Sequence, residues 1–351
     1  MPSADKIFVA DRRSGLGAAL VRSLLQQGHP SSRLCNGTST AFDLTDQQAV
    51  RLFFETEQPQ QFYMAGARVG SLRAQGGYSA DTIYDLLMVQ ANAIHAAFRS
   101  GVKKLLYLCP GFAPPRPSLQ PQAQDLLSTS LMHTPQEPYT AVRSAGIKLC
   151  DSYNRHHGHS QGVDFRSAVT AHLYGPHSPV HTEHSTLVSA LMRRFHDALM
   201  QGQPSVALRC NGSDRRELLH TDDLAEACVA VMNLPRAAYD VGTGPTQSHI
   251  NIGPGLDISM AELARAVAGV VGYPGKIRFE PGHTAGPQRQ LIDSTRLRSL
   301  GWSPRVLLHD GLHAAYQDFL SHHPDSSESA ASAPTQRRAW YATHHAQKHT
   351  P

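Results

Sequence analysis

Through the first 170 residues, short apolar runs alternate with longer stretches whose apolar positions recur at helical spacing. Ile7–Ala10, Gln61–Ala65, Lys104–Cys109 and Asp164–Val169 read as strands, because each is short, apolar and bounded by polar or turn-forming residues. Between them, Gly17–Gln27 sets Ala19, Leu20, Leu24 and Leu25 at helical intervals, and Asp81–Ser100 and Tyr139–His156 read as long helices. This alternation predicts the α/β class, with a doubly wound parallel sheet covered on both faces. Past residue 170 the pattern loosens. A loop rich in Pro and His (Tyr174–His184) precedes helices over Thr186–Gln201, Thr221–Leu234 and Ser259–Val271, with a strand over Ser205–Arg209. These predict a smaller C-terminal α/β lobe beside the carboxyl ends of the sheet, where such folds place ligands. The expected division is a sheet-bearing domain over 1–170 and a second lobe over 171–322, with some of its strands and helices returning to the first domain. A disordered tail rich in Ser, Ala, Pro, Thr, Gln and His follows over 323–351.

Composition narrows the function classes. The 351 residues are 40% apolar, enough for a sizeable core, and the net charge of +4 is spread without any Lys/Arg run, which argues against a nucleic-acid surface. No stretch approaches about 18 consecutive apolar residues, so no membrane span is expected. The chain enters its first strand with no apolar signal core, and its five cysteines are scattered with no C-x-x-C pair. A reducing, cytoplasmic setting is the expectation. The tail histidines read as incidental, and no metal ligand is assigned.

Two stretches carry candidate chemistry. After the first strand comes Ala10-Asp11-Arg12-Arg13-Ser14-Gly15-Leu16-Gly17, placed where a dinucleotide-binding turn passes its pyrophosphate to a helix N-terminus. Aligned to Gly-x-x-Gly-x-x-Gly, Asp11 and Ser14 stand at the first two glycines and Gly17 at the third. Arg12, Arg13, Gly15 and Gly17 are the candidate cofactor contacts, while the Asp11 carboxylate would repel a pyrophosphate. Asp43 and Leu44, in Asp43-Leu44-Thr45-Asp46, are placed to border an adenine, and Thr45 or Asp46 is placed to cap a helix beginning near Gln47. The second stretch is Tyr139-Thr140-Ala141-Val142-Arg143. It resembles the Tyr-x-x-x-Lys segment of the extended short-chain dehydrogenase/reductases, with a planar guanidinium where a compact ammonium is expected.

Further segments sharpen the resemblance. They include Ala67-Arg68-Val69-Gly70, Ala145-Gly146-Ile147-Lys148-Leu149-Cys150, Leu173-Tyr174-Gly175-Pro176, Leu191-Met192-Arg193-Arg194-Phe195, Arg216-Glu217-Leu218-Leu219-His220-Thr221 and His249-Ile250-Asn251-Ile252-Gly253. In this order and spacing the chain is similar to the GDP-L-fucose synthase family over about residues 5–320. That resemblance implies a Rossmann-type fold whose first domain binds the dinucleotide and whose second lobe binds the substrate. It also implies NADP as cofactor, with Ala65 and Ala67 beside it, and a 3,5-epimerase and 4-reductase acting on a GDP-sugar.

By the same resemblance, Tyr139 and Arg143 occupy the Tyr and Lys positions of the reductase. Arg194 and Arg216 match basic substrate-binding residues, and Arg209 stands where an aromatic stacks on the base. The catalytic Ser position holds Gly111, the epimerising Cys position Phe112, and the acid/base His position Thr186. An Asp and an Asn of the family fall on Ala285 and His172. Cys109 and His184 lie near the lost positions without matching them. The implied reading is a catalytically impaired GDP-sugar-binding relative. An active synthase and a reductase without epimerase activity stand as alternatives. The resemblance further implies a homodimer through the two long helices, and pairing with an active homologue is a further option.

Overall fold

The computed structural model describes residues 6–12, 14–35, 43–65, 80–110, 137–178, 185–241, 243, 248–280 and 289–322. In chain order the elements of the first half are β1 (Ile7–Val9), α1 (Gly15–Gln26), α2 (Gln47–Glu57), β2 (Gln61–Met64), α3 (Ala80–Arg99), β3 (Lys104–Pro110), α4 (Glu137–Gln161), β4 (Asp164–Thr170) and β5 (His172–Tyr174). There follow α5 (Leu187–Met200), β6 (Ser205–Leu208), β7 (Arg215–His220), α6 (Thr221–Asn233), α7 (Arg236–Asp240), β8 (Ile250–Ile252) and β9 (Asp257–Ser259). The last are α8 (Met260–Val271), β10 (Lys276–Phe279), β11 (Arg289–Gln290), α9 (Thr295–Ser299) and α10 (Leu308–Ser321).

The main sheet runs β1-β2-β3-β4-β8, and every pairing in it is parallel. On the other side of β1, Leu34 bridges Ile7 in the same sense. The chain therefore leaves β1 toward one side and later returns on the other, which makes the carboxyl end of β1 the switch point of a doubly wound sheet. Strand alternation sorts the core. Ile7, Val9, Tyr63, Leu106 and Leu108 face one way, against Leu20 and Leu24 of α1 and Leu224 and Val231 of α6. Phe8, Phe62, Leu105 and Tyr107 face the other, against Phe54 of α2, Ile94 of α3 and Ile147 of α4.

A third core joins α5, α8 and α10 through residues such as Phe195, Leu263 and Tyr316. Two short sheets belong with it, β10-β6 and β11-β7-β5, and β9 lies antiparallel on β7. Two elements past residue 170 pack with the first half of the chain: α6 lies on α1 and β8 joins the main sheet. A buried ion pair anchors that return. Arg166, fully buried on β4, holds Asp164 at 2.6 and 2.9 Å and donates to the Val231 and Leu234 carbonyls at the end of α6. It thereby satisfies carbonyls that the end of a helix leaves without partners. The tail over 323–351 lies outside the described residues.

Candidate active site

The turn after β1 is built from backbone and one hydroxyl. Asp11 takes φ 52, a left-handed conformation that glycine adopts without strain, which fits its place at the first glycine of the motif. Its carbonyl accepts from the Ser14 N–H at 2.9 Å and the Ser14 hydroxyl at 2.8 Å. Ser14 in turn caps α1 by accepting from the Gly17 N–H at 3.1 Å, a role open to Ser where the motif has Gly. At Gly17 a Cβ would stand 2.0 Å from the Asp11 carbonyl oxygen, so only glycine fits there. Arg12 donates to the Cys35 carbonyl at 3.1 Å, reaching from the switch point to the neighbouring crossover.

Further along this rim, Asp43 accepts from the Thr45 N–H at 2.8 Å, and Asp46 caps α2 by accepting from Gln48 and Ala49. Asn92 of α3 donates to the Leu44 and Thr45 carbonyls at 3.2 and 3.0 Å, fixing the segment to that helix. Ala65 is fully buried at the end of β2. Arg13 and Ala67 lie outside the described residues, as do Gly111, Phe112, His184 and Ala285.

The Tyr139 side chain also lies outside them, but Arg143, one turn on along α4, is described. It is 3% exposed, with its guanidinium hydrogen-bonded to the Tyr107 hydroxyl of β3. Tyr107 donates to Gln90 of α3 at 2.7 Å, and Gln90 donates to the Val142 carbonyl at 2.7 Å. A polar chain thus runs between α3, β3 and α4, and burial holds the Tyr107 phenol far above its usual range. Cys109, next along β3 on the same face, is fully buried. Its thiol is pushed up to about 12 by that burial, with the Arg143 charge opposing. A thiol so protonated is inert as a nucleophile or base.

In the second lobe, Thr186 sits just before α5 and caps it, with its hydroxyl accepting from the Ser189 N–H at 3.3 Å. It lines a small pocket with Ser178, Met192, Asp318 and Phe319, among others. Cys210 marks where the basic residues meet: burial and Asp214 raise its thiol, and the charges of Arg216 and Arg194 both lower it. Arg194 is exposed on α5 and Arg209 is exposed next to Cys210 in sequence. Arg216 on β7 is anchored by its bond to the Arg215 carbonyl at 2.8 Å and lies 3.9 Å from Asp214. Arg194 and Arg216, carried on separate elements, thus both lie within electrostatic reach of Cys210. His172 is turned to Gln290, 2.6 Å away.

Sequence reasoning overlooked Glu217, buried beside Arg216. It accepts from the Gly255 and Ile292 N–H groups at 2.9 and 2.8 Å and so pins β7, the strand that carries Arg216, to the segments that follow β8 and β11. Burial raises its carboxyl to about 7 against the pull of those two donors. The available signal was an acid at the join of two arginines and the apolar pair Leu218-Leu219, which by itself does not announce burial.

The profile of the NAD dependent epimerase/dehydratase family matches residues 13–253. The chain is 41% identical to GDP-L-fucose synthase of Escherichia coli K12 over 318 residues, which cover 91% of this chain and 97% of that protein. It is 40% identical to GDP-L-fucose synthase 1 of Arabidopsis thaliana, over 90% of this chain and 93% of that one. This chain belongs to the GDP-L-fucose synthase family, within the NAD dependent epimerase/dehydratase superfamily. Among solved structures, it resembles a GDP-mannoheptose C4 reductase from Campylobacter jejuni determined with NADP bound. That pair has 31% identity, a TM-score of 0.76 and coverage of 91% of this chain and 99% of the other. A GDP-6-OMe-4-keto-L-xylo-heptose reductase from C. jejuni matches with 29% identity and a TM-score of 0.81, over 92% and 99% of the two chains. The family profile begins inside the switch-point turn, after β1, and ends just past β8, so it spans β2, β3, β4 and β8 of the main sheet and the segments that carry Arg194, Arg209 and Arg216.

Proposed function

We propose that this member of the GDP-L-fucose synthase family binds NADP and a GDP-sugar but is catalytically impaired, having lost 3,5-epimerisation. In this reading residues 1–170 hold the dinucleotide at the switch point, through the Arg12–Gly17 turn, the Asp43–Leu44 rim and Ala65. Residues 171–322 hold the sugar nucleotide, with Arg194 and Arg216 on the diphosphate and Arg209 stacked on the base. The observation that carries the impairment is the placement of Arg143. At the Lys position of the reductase it is 3% exposed, and its guanidinium is engaged by Tyr107 of β3. The proton carriers point the same way. Thr186 is spent on capping α5, Phe112 has no acid/base group, and the nearby Cys109 thiol stays protonated. General acid/base groups are each worth typically about 10²–10⁴-fold in rate.

The test is incubation with GDP-4-keto-6-deoxy-mannose and NADPH in heavy water, beside an active synthase. The expected result is no deuterium at C3 or C5. Incorporation at a rate near that of the active enzyme overturns the reading. NADPH oxidation in the same mixture examines a second reading, a 4-reductase without epimerase activity. That reading is favoured by the retained Tyr139 and by the similarity to proteins named as GDP-sugar reductases. The protein is proposed to be cytoplasmic, the reducing setting that suits its free cysteines. It is further proposed to dimerise through α3 and α4, where Tyr84 and Leu87 are exposed on α3. Pairing with an active homologue through the same two helices is the alternative proposal.

A further inference from the structure

We propose that His177, Asp318 and His322 form a binding site for one divalent transition-metal ion of the zinc class. One ligand atom from each of the three lies within 4.8 Å of the other two. Asp318 Oδ1 is 3.2 Å from His177 Nδ1 and 3.7 Å from His322 Nδ1. Donors bound tetrahedrally to zinc at about 2.0–2.1 Å stand roughly 3.3 Å apart, so these two edges are near the bound geometry before any ion arrives.

The local construction favours the same reading. Asp318 and His322 are four residues apart at the end of α10, on one face, the spacing that lets a helix present two ligands together. His177 comes from the loop after β5 and takes φ 57, an uncommon conformation for a residue with a side chain. Its N–H donates to Asp318 Oδ2 at 2.7 Å, so the carboxylate is already oriented by the loop whose imidazole it faces. His322 is the C-cap of α10, where the helix dipole favours a cation. Its Nδ1 also lies 2.8 Å from the Asp318 carbonyl oxygen and 3.2 Å from Ser321 Oγ, so loading through this nitrogen moves the ring proton to Nε2.

Two imidazoles and one carboxylate select zinc, cobalt, nickel or copper over magnesium and calcium, which take oxygen donors. Three protein ligands leave a fourth position open to water. The ion would clip α10 to the 175–178 loop. That loop reaches the switch point, where the position of a Cβ on Gly15 is 2.7 Å from the Pro176 carbonyl oxygen.

The experiment uses the full chain without an affinity tag, stripped with a chelator. Cobalt(II) is titrated and followed by its visible d–d absorption, zinc is then competed in, and the melting temperature is read with and without zinc. One equivalent is expected to bind, with a rise in melting temperature by mass action and no response to magnesium. His177→Ala and His322→Ala are each expected to weaken binding by at least about tenfold while leaving the metal-free melting temperature near that of the parent, since both side chains are exposed. Asp318→Asn, which keeps an acceptor for the His177 N–H, is expected to do the same. Replacing His323, His344, His345 and His349 with Gln is expected to leave the affinity unchanged. No binding, binding indifferent to His177→Ala, or binding lost only with the histidines beyond residue 322 overturns the site.

Discussion

At the scale of the residue, similar side chains in this family member stand in different surroundings, and the surroundings decide what each does. Arg143 keeps the positive charge of the expected Lys but directs it into a polar chain with Tyr107 and Gln90. The spacing Tyr139 to Arg143 was legible in the sequence. The burial of Arg143 was not, because its partners come from a strand and a helix tens of residues away. Asp11 is different, since its effect follows from a charge and a backbone angle. With φ 52 and a carboxylate at the pyrophosphate turn, Asp11→Gly removes both a like charge and a left-handed side-chain residue. NADPH affinity measured by calorimetry is expected to tighten by roughly fivefold, on the order of 1 kcal/mol. An unchanged or weaker affinity means that the carboxylate faces away from the dinucleotide. In the basic cluster, Arg216→Ala is expected to weaken GDP about tenfold and to remove most of the preference for GDP over GMP. This follows because a charged hydrogen-bond partner is worth roughly 1.5–3 kcal/mol. Equal affinity for GDP and GMP in the parent would reduce the cluster to a solvated basic face.

At the scale of the element, strands β1 to β4 of the main sheet were readable almost to their ends, because both of their faces are decided by burial, whereas the three-residue β8 was not read as a strand and α4 runs on to Gln161 past the expected His156. Phe8 and Ile7 point into opposite cores, and that pattern survives in the sequence as a plain apolar run. The second lobe hid more. Strands β5, β7, β9, β10 and β11 are two to six residues long and mostly half-buried, so no alternation stands out. Helix α10 carries His309, Asp310, His313 and Gln317 between its core residues, which masks its apolar face. At a helix end a single residue can be decisive. Thr186, which we propose stands at the acid/base His position of the family, is the N-cap of α5, so Thr186→Ala is expected to lower stability by about 1 kcal/mol in denaturant titrations. Thr186→His loses the same cap, so restoring the family residue is expected to destabilise the helix start as well. Stability unchanged in Thr186→Ala would mean that the hydroxyl plays no part in holding α5.

At the scale of the whole molecule, two buried titratable groups oppose each other across mildly acidic pH. His249 is 2% exposed and is held down to about 4 from its ordinary 6.5, by burial first and then by the charges of Lys148 and Arg296. Between pH 6.5 and 4 the unfolded chain therefore binds a proton at this site that the folded chain refuses. The stabilisation present above pH 6.5 is lost as pH falls through that window. Glu217 has the opposite sign. Its carboxyl is raised to about 7 from 4.5, so the folded chain binds the extra proton. The stability it contributes is complete below pH 4.5 and is lost as pH rises through 7. Each effect amounts to on the order of 3 kcal/mol across its window, and the windows overlap between pH 4.5 and 6.5. There the two largely cancel. The single variants expose what the parent conceals. Measured as the difference from the parent by urea unfolding, His249→Asn is expected to gain relative stability on acidification from pH 6.5 to 4.5, and Glu217→Gln to lose it over the same range. The double variant is expected to follow the parent closely. Parallel pH curves for parent and single variants would mean that neither group keeps its buried environment in solution, and that strands β7 and β8 are more open to water than the described packing shows.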